Sequence, residues 1–159
     1  MIDAQRQKLA ARARDEGGVA LVEFALVLPL LLLLLFGMLD FGRAFNYWID
    51  STHLANEGAR WAVVNKNPGT GTLQQYIQQQ ADTEELRSGG TDAVPDPLQV
   101  CVTFPNGEVV GEPVKVTANV TYHWLPFLGK RLGILDTTVS GSSVMRLEAV
   151  PTNYGSGCS

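Results

Sequence analysis

Residues 19–39 read VALVEFALVLPLLLLLLFGML, and this stretch decides the fold class. Its 21 residues contain one ionisable side chain, Glu23, and one residue that disfavours helix, Pro29. As an α-helix the stretch is about 31 Å long, which matches the hydrocarbon core of a bilayer. The sequence therefore predicts a transmembrane helix over residues 19–39.

Pro29 lies in the middle of this predicted helix. Because proline has no N–H to donate to the carbonyl of Ala25, we expect a kink or a locally loosened turn at this point. Membrane helices tolerate such turns where neighbouring helices compensate. Two interpretations stay open: a flexible point needed during packing, or a tolerated kink.

The residues on either side of the apolar stretch predict its orientation. Residues 1–18 are polar and carry four Lys and Arg side chains, whereas residues 40–60 carry only Arg43 and Arg60. The positive-inside rule places the N-terminus in the cytoplasm and the remainder outside. A cleaved secretory signal peptide is disfavoured. Signal peptides have a shorter apolar region, followed by a small-x-small cleavage site, whereas the apolar run in this chain is 21 residues long.

The helical pattern continues past the apolar stretch, over residues 40–66. Asn67-Pro68-Gly69 then provides a stop signal. We expect nine apolar residues of this part to lie roughly on one helical stripe: Phe41, Phe45, Trp48, Ile49, Leu54, Ala55, Ala59, Ala62 and Val63. The aromatic residues Phe41, Tyr47 and Trp48 suit either the membrane interface or the face that packs on a globular head, and packing on the head is the expected role of Trp61.

Residues 67–159 predict a small α+β head. A helix is expected over 72–87, with Thr72 and Gln75 forming a capping box. Strands are expected over 98–104, 114–124 and 137–148, from their β-rich composition and alternation. The fold class is therefore α+β: a long N-terminal helix, its first half transmembrane, with a small antiparallel β-sheet head. The apolar loop Leu125–Gly129 is expected to be either buried core or a contact surface.

The N-terminal segment resembles the processing site of type IV prepilins. Gly18 is followed by Val19-Ala20-Leu21-Val22-Glu23-Phe24, with the acidic–aromatic pair at the fifth and sixth positions after the glycine. The patterns VEFALVLPLLL, FGRA and EGAR-aromatic-A extend the likeness. In these features the chain is similar to the TadE-like minor pseudopilins of Tad (type IVc) pilus assembly systems, and its layout is similar to a pilin.

This resemblance implies a set of roles. Residues 1–18 would be a leader that a prepilin peptidase removes between Gly18 and Val19. Glu23 and Phe24 would serve assembly, with Glu23 setting axial register by pairing with the new amine of a neighbouring subunit. The implied partners are the prepilin peptidase, other pilins or pseudopilins, the pilus assembly platform and the membrane. The implied location is the cytoplasmic membrane, single-pass, with a position in a surface pilus left open.

The two cysteines, Cys101 and Cys158, match no metal-binding spacing. If the head is exported, a disulfide is the natural interpretation, and the alternative is two unpaired thiols. Such a bond would close a loop of about 57 residues, which chain-entropy arguments value at about 4 kcal/mol.

Composition and motifs argue against an enzyme and against several binding classes. The formal net charge of −4 is unlike that of a nucleic-acid binder. His53 and Glu57 are four residues apart but lack the second histidine of a metalloprotease helix, and His123 has no triad pattern around it. We expect no cofactor, no metal and no small-molecule substrate. The competing hypothesis is a single-pass anchored module whose head recognises a ligand or a surface.

Overall fold

The computed structural model describes residues 2–125 and 136–159, and the side chains from residue 18 onward within those ranges. The chain divides into two compact units, Met1–Leu39 and Asp40–Ser159. Most of the expected apolar loop Leu125–Gly129 lies outside the described residues.

The first helix, α1, runs from Ile2 to Val63 and contains Pro29 without an interruption of its helical assignment. It ends earlier than the predicted residue 66, and Asn65 is the reason. Asn65 adopts a positive φ of 51°, its N–H donates to the Ala62 carbonyl, and the Lys66 N–H donates to the Trp61 carbonyl. This pair of bonds is a Schellman cap, and asparagine tolerates the left-handed conformation it requires.

The predicted helix over 72–87 is two short helices, α2 (Leu73–Gln79) and α3 (Glu84–Ser88). The predicted capping box is confirmed, since Thr72 and Gln75 exchange side-chain to backbone hydrogen bonds of 3.2 and 3.1 Å. The prediction of one helix was wrong because Thr83 begins a new one: its hydroxyl accepts a hydrogen bond from the Leu86 N–H.

Among the residues that the structure describes, four antiparallel strands form one sheet in the order β3-β2-β1-β4. Their bounds are β1 Gln99–Thr103, β2 Pro113–His123, β3 Asp136–Arg146 and β4 Gly157–Cys158. The three predicted strands are confirmed to within one or two residues at most ends, and the α+β class with a pilin-like layout is confirmed. The two-residue β4 was not predicted.

Residues 40–63 of α1 belong to the second compact unit and are called here the outer part of α1. The hydrophobic core of the head lies between the sheet and this part of the helix. The predicted inward face of β2 is confirmed, because Val114, Val116, Ala118, Val120 and Tyr122 are all buried. Gly141 of β3 lies so close to α1 that an added Cβ would overlap the backbone of Ser51 and Thr52. This glycine, which the sequence marked only as a weak point of a strand, permits the close approach of strand and helix.

The expected single stripe on residues 40–66 was wrong. Leu54, Ala55, Ala59 and Ala62 are buried in the core together with Ala44 and Tyr47. Four larger apolar side chains of the same helix are exposed instead: Phe41, Phe45, Trp48 and Ile49. Four of the seven buried apolar side chains of the outer part of α1 are alanine, which allows the helix to lie close to the sheet, whereas the four exposed side chains lie on the other face.

Candidate functional site

The residues predicted to carry processing and assembly lie in the apolar part of α1. Within the described residues, Gly18–Val63 is one helix long and apolar enough to cross a membrane, with a mean hydropathy of 2.8 in its most apolar window. No part of that window is buried inside the chain. Val19 and Phe24 are exposed, as is Glu23.

Gly18 lies within α1 and has no left-handed conformation. A Cβ added at Gly18 would meet no described atom within 4 Å. Neither backbone geometry nor packing among the described residues therefore requires glycine at this position.

Glu23 makes no hydrogen bond and no ion pair with any residue whose side chain the structure describes. On a helix it lies four residues after Val19, which is about one turn and therefore the same face. The structure places the predicted cleavage and register residues on one exposed segment, and no described side chain pairs with Glu23 there.

A second polar site lies at the start of the head, around Asp40. Asp40 is buried, and its carboxylate accepts hydrogen bonds from the Tyr122 hydroxyl and from the Leu125 N–H, the latter at 2.6 Å. Burial raises the pKa of Tyr122, and its hydrogen bond to Asp40 raises it further. These hydrogen bonds connect the end of β2 to Asp40, the first residue of the outer part of α1.

The neighbouring Tyr47 makes the equivalent connection to α3. Its hydroxyl donates to the Glu85 carboxylate, and its ring meets the ring of Tyr122 edge-on at 5.6 Å. Burial, with the contact to Glu85, raises the pKa of Tyr47. Both tyrosines therefore stay protonated and keep donating at any physiological pH.

Sequence analysis missed both tyrosine–carboxylate pairs. The partners are 82 and 38 residues apart, so no local spacing relates them. One signal was available: Asp40 is a charge directly after the apolar stretch, and Tyr122 is on the predicted inward face of its strand.

The cysteines are joined in the structure. Cys101 of β1 lies opposite Cys158 of β4, and a disulfide links them. Gln74 of α2 donates to the carbonyls of Gly155 and Gly157, and these bonds hold the start of β4 and the residues just before it. The bond therefore holds a two-residue strand that would be too short to pair stably alone.

The solvent-exposed face near the end of α1 carries an open groove of about 720 Å³, lined by His53, Asn56, Glu57, Arg60, Trp61 and Val64. Trp61 donates its indole N–H to Glu57 at 3.3 Å and meets Tyr76 edge-on. The predicted packing role of Trp61 is thus confirmed, while one side of the ring faces this groove.

The other histidine, His123, pairs with Asp136 across β2 and β3 at 3.6 Å. Across the side chains that the structure describes, no three His, Cys, Asp or Glu residues are grouped to hold a metal ion.

These features define a class: an α+β protein with one long, exposed, apolar N-terminal helix suited to a single-pass membrane anchor and a small antiparallel head, in a pilin-like layout. Residues 18–60 match the family model of TadE-like proteins. The match begins at Gly18 and ends before the first strand of the head. It confirms the resemblance predicted from the sequence and supports a Tad pilus-associated, pseudopilin-like role. No curated protein and no solved structure matches this chain.

Proposed function

We propose that this chain is a minor pilin-like subunit that a prepilin peptidase cleaves between Gly18 and Val19 before the subunit joins a Tad-type pilus assembly. One observation carries the proposal: the TadE-like match begins at Gly18, and the apolar part of α1 that follows this residue is not buried within the chain. An apolar helix of this length is unfavourable in water, and lipid or other apolar helices would cover it.

Cleavage would change the charge at the start of the helix. Removing residues 1–18 takes away four Lys and Arg side chains and leaves one α-amino group on Val19. Hydrolysis of the Gly18–Val19 peptide bond consumes one water and forms a new carboxylate on the leader and this amine. An α-amino group has a pKa of about 7.7–8.0, so most copies would be cationic at neutral pH.

Glu23 is then the natural partner of that amine. A carboxylate at the bilayer centre costs about 2.5–3.5 kcal/mol on insertion scales, and less near the end of a span. Because Glu23 has no ion pair among the described side chains, a charge from a neighbouring subunit would offset part of this cost. We propose that this pairing sets the axial register between subunits, with Phe24 packing beside it.

The orientation follows from two independent features. The Lys and Arg residues of the leader favour a cytoplasmic N-terminus. The disulfide between Cys101 and Cys158 favours an oxidising compartment for the head, because such bonds are rare in the cytosol. We therefore propose a single-pass protein of the cytoplasmic membrane whose head is extracytoplasmic. Its role is structural, with no reaction catalysed by its own residues.

The test is the N-terminus of the membrane-extracted chain, read by mass spectrometry from cells with and without the prepilin peptidase. The expected result is a chain beginning at Val19 only when the peptidase is present. Gly18→Leu should block cleavage, and because no described atom lies near a Cβ at position 18, misfolding is not a competing explanation. Gly37→Leu is the matched control, since Gly37 is equally free of contacts and should still be processed.

A second measurement separates processing from assembly. Glu23→Gln should leave a chain that begins at Val19 but reduce its recovery with the pilus fraction by about tenfold, as expected when an apolar interface loses its compensating charge. Glu148→Gln, in the exposed loop after β3, is the control and should change neither quantity. Normal recovery of the Glu23 variant would exclude the register role.

The groove beside Trp61 favours the alternative of an anchored binding module for adhesion or ligand recognition. It combines apolar surface with Arg60, Glu57 and other polar groups, as binding grooves do. Such a module would keep its leader. A chain that retains residues 1–18 with and without the peptidase would therefore favour the binding module over the pilin-like subunit.

A further inference from the structure

The outer part of α1 exposes four large apolar side chains together, and we call them the aromatic seam: Phe41, Phe45, Trp48 and Ile49. Each is 48–63% exposed, although the opposite face of the same helix is buried against the sheet. Contiguous exposed patches of this kind mark interaction sites in soluble domains. The seam belongs wholly to the second compact unit, so it is a feature of the head.

The seam is already ordered in the single chain. Phe41 stacks on Trp124 at 6.3 Å and on Phe45 at 6.4 Å, and Phe45 lies 5.7 Å from Trp48. Trp124 is in turn held by a hydrogen bond of 2.9 Å from its indole N–H to the Thr137 hydroxyl. Because these rings are fixed before any partner arrives, little side-chain entropy is lost on binding.

Lipid is a poor occupant for the upper part of the seam. Asp40 is the first ionisable residue after the apolar stretch, and Trp48 and Ile49 follow it by eight and nine residues. That separation is about 12–14 Å along an α-helix. The headgroup layer beyond the hydrocarbon core is only about 5–7 Å thick on each side. Phe41 can lie in this layer, but Trp48 and Ile49 extend past it, where lipid would not cover them.

The spacing of the seam indicates that this partner is a helix. Phe41, Phe45, Trp48 and the half-exposed Thr52 are separated by four, three and four residues, which is the spacing of a coiled-coil seam. The flanking positions of such a seam usually carry the charges that select a partner. Here the exposed flanking positions are Gly42 and Ile49, neither of which is charged, whereas Ala44 and Ser51 are buried in the head. An identical helix therefore meets no like charge along the contact.

We propose that the aromatic seam is a docking site for the same seam of a second copy of this chain, with the two outer helices side by side and parallel. Two copies anchored in one membrane with the same orientation present their seams in the parallel arrangement. Anchoring also raises their effective concentration, so a contact of about two turns can suffice. The inference depends on the membrane anchor of the proposed function but not on peptidase processing.

Photocrosslinking in cells that express the full chain tests the seam directly. The photoreactive residue p-benzoylphenylalanine replaces Phe45 or Trp48, and mass spectrometry identifies the adduct. The expected product contains two copies of the chain. Val110 supplies a matched control position, because it is exposed and apolar like the seam but lies between β1 and β2, and it should give no such adduct. Adducts only with lipid, or only with a different protein, would overturn the proposal.

A charge introduced into the seam provides the second variant. With the crosslinker at Phe45, Trp48→Glu should lower the two-copy adduct by at least about tenfold, because the contact would bury an unpaired carboxylate. Trp48→Phe should retain it, and so should Val110→Glu. Since the seam is exposed in the single chain, Trp48→Glu should leave the head's unfolding transition unchanged. Undiminished adduct with Trp48→Glu would exclude the seam as the contact.

The N-terminus of the same samples is recorded in parallel. Chains that begin at Val19 but give no two-copy adduct would refute the seam and leave the proposed processing intact. Chains that keep residues 1–18 but still give the adduct would refute the processing and leave the seam intact.

Discussion

The apolar half of α1 exposes its apolar side chains, whereas the head buries most of its own. Leu21, Leu26 and Met38 are 68–75% exposed, whereas Leu54, Val116 and Tyr122 are fully buried. The head excludes water with its own residues, and the apolar helix relies on whatever surrounds it. Some mutations should therefore change the stability of the head without changing the contacts of the apolar helix, and others should do the reverse.

The contrast can be measured with the chain's own fluorophores. All three tryptophans, Trp48, Trp61 and Trp124, lie in the Asp40–Ser159 unit. Their fluorescence in the detergent-solubilised full chain therefore reports the unfolding of the head. A denaturant titration gives its free energy of unfolding.

The largest effect is expected from the disulfide. Replacing Cys101 and Cys158 together by serine should lower the head's free energy of unfolding by about 4 kcal/mol, because the unfolded chain regains the freedom of a loop of 57 residues. The denaturant titration measures this loss, and wild-type chain treated with reductant should show a similar one. Unchanged stability would mean that β4 and the tail are held by Gln74 and backbone pairing alone.

Leucines on the two halves of α1 form the most direct test of the comparison. Leu54→Ala should cost about 2–5 kcal/mol, because Leu54 is fully buried and its loss leaves a cavity. Leu34→Ala removes the same atoms from a side chain that is 55% exposed and should leave the titration nearly unchanged. Equal costs would show that the two units unfold as one.

Gly141 tests how closely the strand and the helix must approach. Gly141→Ala should destabilise the head by about 1–3 kcal/mol, since the new methyl group would overlap the backbone at Ser51 and Thr52. Gly155→Ala is the control, because a Cβ there meets nothing and its backbone needs no left-handed conformation. The same titration measures both, and a neutral Gly141 variant would mean that α1 shifts away from β3 at little cost.

The smallest effect concerns Asp50, a buried carboxylate on α1 that accepts a 2.9 Å hydrogen bond from the Asp82 N–H. Burial raises its pKa above the usual 3.8. The folded state thus binds its proton more tightly than the unfolded state, so its contribution is full below pH 3.8 and is lost as the pH rises through the raised value.

Asp50→Asn should remove this loss and keep a hydrogen-bond acceptor. We expect stability at pH 7 to change by about 1 kcal/mol or less. Stability measured between pH 4 and pH 7 should fall less steeply with rising pH than in the wild type. An Asn variant with the wild-type pH dependence would show that other groups produce it.

Local sequence patterns predicted much of this molecule. The apolar run of residues 19–39, the Thr72–Gln75 capping box and the alternation of β2 each depend on residues close together in the chain. A helix, a cap and a strand are satisfied by near neighbours, so their signals are present in short windows. The processing and register residues, Gly18 and Glu23, likewise followed from a short motif, and their roles stay predictions.

Other features were decided only by the tertiary structure. Thr83 split the second helix, Tyr122 found Asp40 across 82 residues, and β4 formed where Cys158 met Cys101. Helical spacing showed that residues 40–63 had apolar positions, but not which of them would face the sheet. Four alanines of this part were buried together with Tyr47 and Leu54, whereas Phe41, Phe45 and Trp48 were exposed, and Gly141 permits the close approach of β3 to the helix. The sequence by itself determined the anchor, the class of the head and the segments that form it. Which surfaces remained available to partners depended on contacts between distant residues, since burial is a property of the packed whole and not of any short segment.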